Sequence, residues 1–120
     1  MAQTLHVFSG KFGSREEACQ YSEEQWVHGS DDPIWLLRQD LPVEFLSPDF
    51  IETIFGDDKL EYLKSQLVRD ADKQKLCLEI PERADTLVLI MSAAFDGKRV
   101  LLSSTPRLQY HGEFPWKLGR

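Results

Sequence analysis

The sequence predicts an α+β single domain: about three helices in the first half, packed on a mostly antiparallel sheet built largely from the second half plus an N-terminal strand. Three observations carry that expectation. Helix-start signals at Ser14, Ser47 and Asp58 all fall early. A continuous apolar run at residues 87–91 reads as a central strand with both faces covered. The dipeptide Asp96-Gly97 is a two-residue hairpin signal. Residues 1–120 have the length of one domain with a core of its own.

In chain order, residues 5–8 form a short first strand closed by Ser9-Gly10. Ser14-x-x-Glu17 is a capping box, and the helix it opens places Ala18, Cys19, Tyr21, Ser22 and Trp26 inward, with Glu16, Gln20, Glu23 and Glu24 outward. Residues 28–33 are turn chemistry, and residues 34–37 fit either a strand or a short buried turn. Ser47, with Pro48 at the first helical position, opens a second helix that buries Phe50, Ile51, Ile54 and Phe55 and stops at Gly56. A third helix starts near Asp58, with Leu60, Leu63, Leu67 and Val68 as its inner stripe. Residues 75–80 read as a strand or an ordered connection. The hairpin at Asp96-Gly97 leads into a strand over 99–103, with Lys98, Arg99 and Arg107 on its solvated face. Residues 108–111 form a further strand near an edge.

Charge is unevenly distributed. Residues 16–58 hold twelve Asp and Glu against Arg38 alone, a local net of −11 in a chain of net −6. Such a field repels nucleic acid and anionic membrane and attracts basic protein surfaces, although the plainer reading is a solvated acidic face. The opening residues show no basic stretch followed by an apolar one, and the run at 87–91 is far too short to span a bilayer. A cytoplasmic protein without a signal peptide is therefore expected. Cys19 and Cys77 lack metal-like spacing and are expected to be buried thiols in a reducing compartment.

Catalysis requires convergent titratable groups with identifiable roles. His6, His28 and His111 are scattered along the chain. His28 beside Asp31 and Asp32 comes nearest to a hard-metal site, and a small metal-assisted enzyme is the corresponding alternative, but no zinc or calcium ligand spacing is present. Residues 10–14 lack the order of a phosphate-binding loop, and Glu16 and Glu17 oppose an anion there. No catalytic residue, metal ligand or cofactor is assigned. Trp26 and Trp35 instead flank the acidic loop, and aromatic anchors ringed by steering charges are the composition of a protein-binding hot spot. The partner-binding set expected from the sequence is Trp26, Asp31, Asp32, Trp35, Asp40 and Glu44. Core packing of the tryptophans is the competing expectation.

An ordered set of stretches carries a resemblance. Leu5-His6-Val7-Phe8-Ser9-Gly10-Lys11-Phe12 is followed by Glu16-Glu17-Ala18, Tyr21 and Glu24-Gln25-Trp26. Asp49-Phe50-Ile51-Glu52-Thr53-Ile54 with Gly56, Tyr62-Leu63 and Thr86-Leu87-Val88-Leu89-Ile90 come next. Ser104-Thr105-Pro106, Leu108, Tyr110 and Gly112 complete it. Together they resemble the immunity protein 22 family of bacterial polymorphic toxin systems, over most of the chain. The resemblance implies a small non-enzymatic cytoplasmic antidote whose partner is a cognate toxin domain with a basic surface, a nuclease fitting best. The stretch between Trp26 and Trp35 is shorter than the family's. An acidic interaction or regulatory module without a toxin partner is the alternative reading of the same residues.

Overall fold

Strand β1 (Thr4–Gly10) pairs antiparallel with β3 (Thr86–Met91) in a register running from Leu5 opposite Met91 to Gly10 opposite Thr86. The computed structural model describes residues 3–117. Strand β2 (Ile51–Phe55) adds to the far side of β3, and β4 (Gln109–Pro115) to the far side of β1. The sheet order is thus β2-β3-β1-β4, antiparallel throughout. With helices on it as well, the architecture is α+β, as the sequence predicts.

Because successive strand residues face opposite ways, β1 and β3 feed two separate cores. Phe8, Val88 and Ile90 meet Ala18 and Tyr21 of α1 (Arg15–Ser22) and Leu37 of α2 (Leu36–Asp40) on one side. Leu5, Val7, Leu87, Leu89 and Met91 meet Leu63 of α3 (Lys59–Gln66), the following Leu67, and Leu76 of α4 (Asp70–Glu79) on the other. Every residue of β3 is buried, which is what its unbroken apolar sequence demands.

Several expectations are corrected. The helix expected over 48–55 is a 3-10 turn, Pro48–Phe50, followed by β2; Ser47 makes no side-chain cap bond. The β-branched residues Ile51, Thr53 and Ile54 gain a ladder against β3 that outweighs the helical look of Pro48 and the apolar spacing. Gly56 keeps a left-handed backbone (φ +124) but ends a strand. Residues 75–80 belong largely to α4, which buries Leu76 and leaves Leu78 88 % exposed, a 3.6-residue period rather than an alternation. Asp96 and Gly97 have the positive φ values of a hairpin turn (55 and 74), yet they follow a 3-10 turn, Ser92–Phe95, and residues 98–103 form no strand. Helix α1 stops at Ser22, so Trp26 lies beyond it, and Val68 at the end of the third stripe is exposed. Both cysteines are free, but Cys77 is exposed and Cys19 half-buried.

Two histidines lie in the sheet, each against a carboxylate. His111 places Nδ1 3.4 Å from Glu79 Oε1 and Nε2 2.7 Å from Ser9 Oγ. A carboxylate only accepts, so Nδ1 carries the proton and the Ser9 hydroxyl donates to Nε2. On the other face, His6 Nδ1 lies 2.8 Å from Tyr110 Oη, and Nε2 is 3.6 Å from Glu113 Oε2. Burial lowers the pKa of both rings, against the partial opposition of Glu79 and Glu113. Burial, with Glu113 beside it, pushes the Tyr110 hydroxyl up to about 12.

A folded-state pKa below the unfolded one means that the unfolded chain binds the proton first. Stability is therefore full above about pH 6.5, the ordinary histidine value, and falls as pH drops below it. Unfolding free energies from urea titrations at constant ionic strength, taken from about pH 7.5 down to about 5.5, should decline by no more than about 1.4 kcal/mol per pH unit per histidine. His111→Gln should flatten part of that slope; an unchanged slope in both His111→Gln and His6→Gln would assign it elsewhere.

Candidate protein-interaction face

The end of α1 launches the segment of interest. Ser14 caps the helix, its Oγ accepting from Glu17 N at 3.1 Å, and Glu16 and Glu17 in the first turn suit the positive helix end. After Ser22 the chain makes an excursion closed by two backbone bonds, Gln25 N to Ile34 O and Ile34 N to Gln25 O, both 2.8 Å. Within it, Gly29 takes φ +84, and the Ser30 hydroxyl donates to Asp32 O at 2.9 Å. The excursion is a braced loop that holds Trp26, Asp31 and Asp32 outward.

The six residues expected from the sequence divide. Trp26 is 64 % exposed, and Asp31 and Asp32 are exposed on the same excursion. Trp35 is core: it is 7 % exposed, and its Nε1 donates to Ser22 O at 2.8 Å, tying the returning chain to the end of α1. Trp35 is therefore a core residue and not a surface anchor. Asp40, at the end of α2, accepts the Tyr21 hydroxyl at 2.5 Å, and Tyr21 also meets Thr105 Oγ1 at 3.2 Å. Burial first, then the bond to Asp40, raises the Tyr21 pKa far above its ordinary value. Asp40 thus braces α1 against α2 while remaining exposed itself. Glu44 is exposed, with Lys98 Nζ 3.8 Å away, a loose surface pair of little energetic weight.

The structure adds residues that the sequence reading missed. Glu23, Glu24, Trp26, Pro48 and Ile51 line one depression of about 270 Å³, so the end of α1 lies beside the start of β2. No sequence signal marked this, because residues 48–55 read as a helix. Of the acidic side chains in residues 16–58, only Glu24 and Glu52 are half-buried; the rest are exposed. The same segment holds six of the nine large apolar side chains exposed among the described residues: Trp26, Val27, Ile34, Leu36, Phe45 and Phe50. Acids and exposed apolar groups therefore share one stretch of chain.

Elsewhere, Ser9, His111 and Glu79 align like a nucleophile, base and acid. Ser9 and His111 are nevertheless buried, and the Ser9 hydroxyl is committed to the ring. Among the described residues, no three His, Cys, Asp or Glu side chains are grouped to hold a metal ion, the trio His28, Asp31 and Asp32 included. No helix of the described residues is long and apolar enough to cross a membrane. The fold and this segment define an antiparallel α+β domain with a candidate protein-binding face. No family model, curated protein or solved structure matches the chain.

The two tryptophans flanking the loop should behave oppositely. Trp35→Ala removes a fully packed ring and its bond to Ser22, and should cost about 3–5 kcal/mol in chemical denaturation. Trp26→Ala should change stability by less than about 0.5 kcal/mol. A comparable loss in both would place Trp26 in the packed interior.

Proposed function

We propose that this chain is a toxin-neutralising immunity protein: a non-enzymatic cytoplasmic antidote that captures the basic surface of a cognate toxin domain. The observation that carries the reading is the coincidence of the acidic block with the exposed apolar side chains, in the segment centred on Trp26, Asp31 and Asp32. The resemblance of its residue stretches to the immunity protein 22 family also supports it. Opposite charge accelerates encounter and orients the partner, while a buried aromatic anchor slows dissociation. A nuclease domain suits this chemistry, because the cleft that binds a polyanion is positive. Asp40 and Glu44 then add to the field rather than to the anchor, and the contact centres on Trp26 with Val27 and Ile34 beside it.

Co-expression with the C-terminal toxin domain of a large secreted protein encoded next to this gene should rescue growth and yield a complex on purification. Rescue through toxin degradation without a complex would point to an enzyme. An active toxin that is neither bound nor blocked would leave a general acidic interaction module as the better account. Within the complex, joint charge reversal of Asp31→Lys and Asp32→Lys should slow association about tenfold and flatten its salt dependence. Trp26→Ala should weaken affinity by about 2 kcal/mol or more, chiefly through faster dissociation. Unchanged kinetics in both variants would move the interface off this loop.

A further inference from the structure

The two edges of the sheet are finished differently. On β4 the outer side is obstructed: Tyr110 N donates to Ser104 Oγ at 2.9 Å, a register shift interrupts the pairing opposite Val7 and Phe8, and Pro115 lacks an N–H. Just past its end, Trp116 bridges to Leu67. On β2, Gly56 N donates to Asp85 O at 3.0 Å, the bond that flanks a non-hydrogen-bonded Phe55–Thr86 pair in an antiparallel ladder. Antiparallel ladders alternate, so Ile54 and Glu52 also bond inward to β3. Ile51, Thr53 and Phe55 therefore turn their backbone N–H and C=O groups away from the sheet. Of these outward groups, the Ile51 N–H closes the 3-10 turn Pro48–Phe50, and Arg15 Nη2 donates to Phe55 O at 3.2 Å; among the described residues the C=O of Ile51, both groups of Thr53 and the N–H of Phe55 stay open.

The surroundings of this open edge have one dominant sign. Helix α1 runs antiparallel along β2, since Arg15 reaches Phe55 while the Ser22 hydroxyl meets Thr53 Oγ1 at 2.6 Å. Glu23 and Glu24 then flank Ile51, with Trp26 and Pro48 beside it. Asp49 precedes the strand, Glu52 lies within it, and Asp57 and Asp58 follow it. Six carboxylates thus face Arg15 and Lys59 around five strand residues. That charge resists pairing with a second copy of this edge and favours a cationic strand.

We infer that the outer edge of β2 receives an extended, lysine- or arginine-rich segment of the partner as a fifth strand of the sheet. This rests on the protein-binding reading above and specifies its mode of contact. The C=O of Ile51, both backbone groups of Thr53 and the N–H of Phe55 supply the main-chain bonds, which read an extended backbone rather than a sequence. The carboxylates select basic side chains, and Trp26 covers the incoming strand at its Ile51 end.

The test uses the intact protein and a short peptide of alternating lysine and valine, followed by amide hydrogen exchange. The peptide in excess should slow exchange of the Thr53 and Phe55 amides by about tenfold or more, because free outward amides become paired. The same peptide methylated on every backbone nitrogen should give no protection. A glutamate–valine counterpart should bind only after Glu23→Lys and Glu24→Lys, which should in turn weaken the lysine peptide. Absence of protection at Thr53 and Phe55, protection confined to other strands, or equal binding by the methylated peptide would overturn the inference. A toxin complex that leaves these two amides exchanging as in the free protein would also overturn it, with the antidote reading intact. Failure of toxin rescue alongside protection by the peptide would remove the antidote and leave the edge as the binding site for basic strands.

Discussion

The pairing of β1 with β3 governs the rest of the molecule, because it places two adjacent strands in the middle of a narrow sheet with apolar side chains on both faces. Leu87, Leu89 and Met91 point one way and Val88 and Ile90 the other, so neither face can be left to water. Each face needs its own helical layer, α1 with α2 on one side and α3 with α4 on the other. Polar groups admitted to this core are matched: Ser9 by His111, His6 by Tyr110, Thr86 by Asp85. Among the described residues, no buried side-chain nitrogen or oxygen lacks a partner, so the interior avoids the cost of about 1–3 kcal/mol that an unmade buried hydrogen bond carries.

From that centre, position is passed outward by Asp85. Its carboxylate accepts from Phe12 N, Gly13 N and Thr86 Oγ1, each at 2.9 Å, while its own N–H donates to Gly10 O. Burial raises the Asp85 pKa, but these donors outweigh it and hold the carboxyl below its ordinary range. The loop leaving β1 is thereby fixed, Gly13 supplies φ +90, and Ser14 arrives in place to cap α1. Tyr21 to Asp40 and Trp35 to Ser22 then lock the far end of the helix. The acidic excursion starts from a firm base, which limits the ordering cost of binding through it.

Much of this framework is legible in the sequence where one local signal dominates. The helix start at Ser14 and the unbroken apolar run of β3 are both found, although only the Ser14 half of the expected capping box forms, its Oγ accepting from Glu17 N. Reading fails where local and non-local preferences conflict. Pro48 and the spacing of Phe50, Ile51 and Ile54 imitate a helix start, but β2 is decided by an open position beside β3, more than thirty residues away in the chain. Leu76 to Ile80 imitates alternation, until Leu67 and Ala84 join Leu76 and Ile80 in the same core cluster and select the helical period. The site suffers most from the same limitation. Trp26 and Trp35 look alike in sequence, and only the stop of α1 at Ser22 sends one outward and the other beneath the helix. The neighbourhood of Glu23, Glu24 and Ile51 is likewise a product of tertiary packing.

The distribution of charge then has a physical logic that solubility alone does not supply. Solubility is served by acids placed anywhere, whereas here Glu23, Glu24, Asp49, Glu52, Asp57 and Asp58 adjoin the strand whose edge is open, beside the exposed Trp26 and Phe50. An open edge and exposed aromatics are both hazards for self-association. Screening confines surface fields to about 8–10 Å at physiological salt, so only carboxylates adjoining the edge can guard it. Glu23, Glu24, Asp49 and Glu52 meet that requirement, and the guard is selective by sign. Its sign opposes another copy of this edge and a nucleic acid backbone, and on the proposed function it favours a basic protein segment. A surface that is protected against itself and open to cations can keep its binding groups unpaired until the partner arrives.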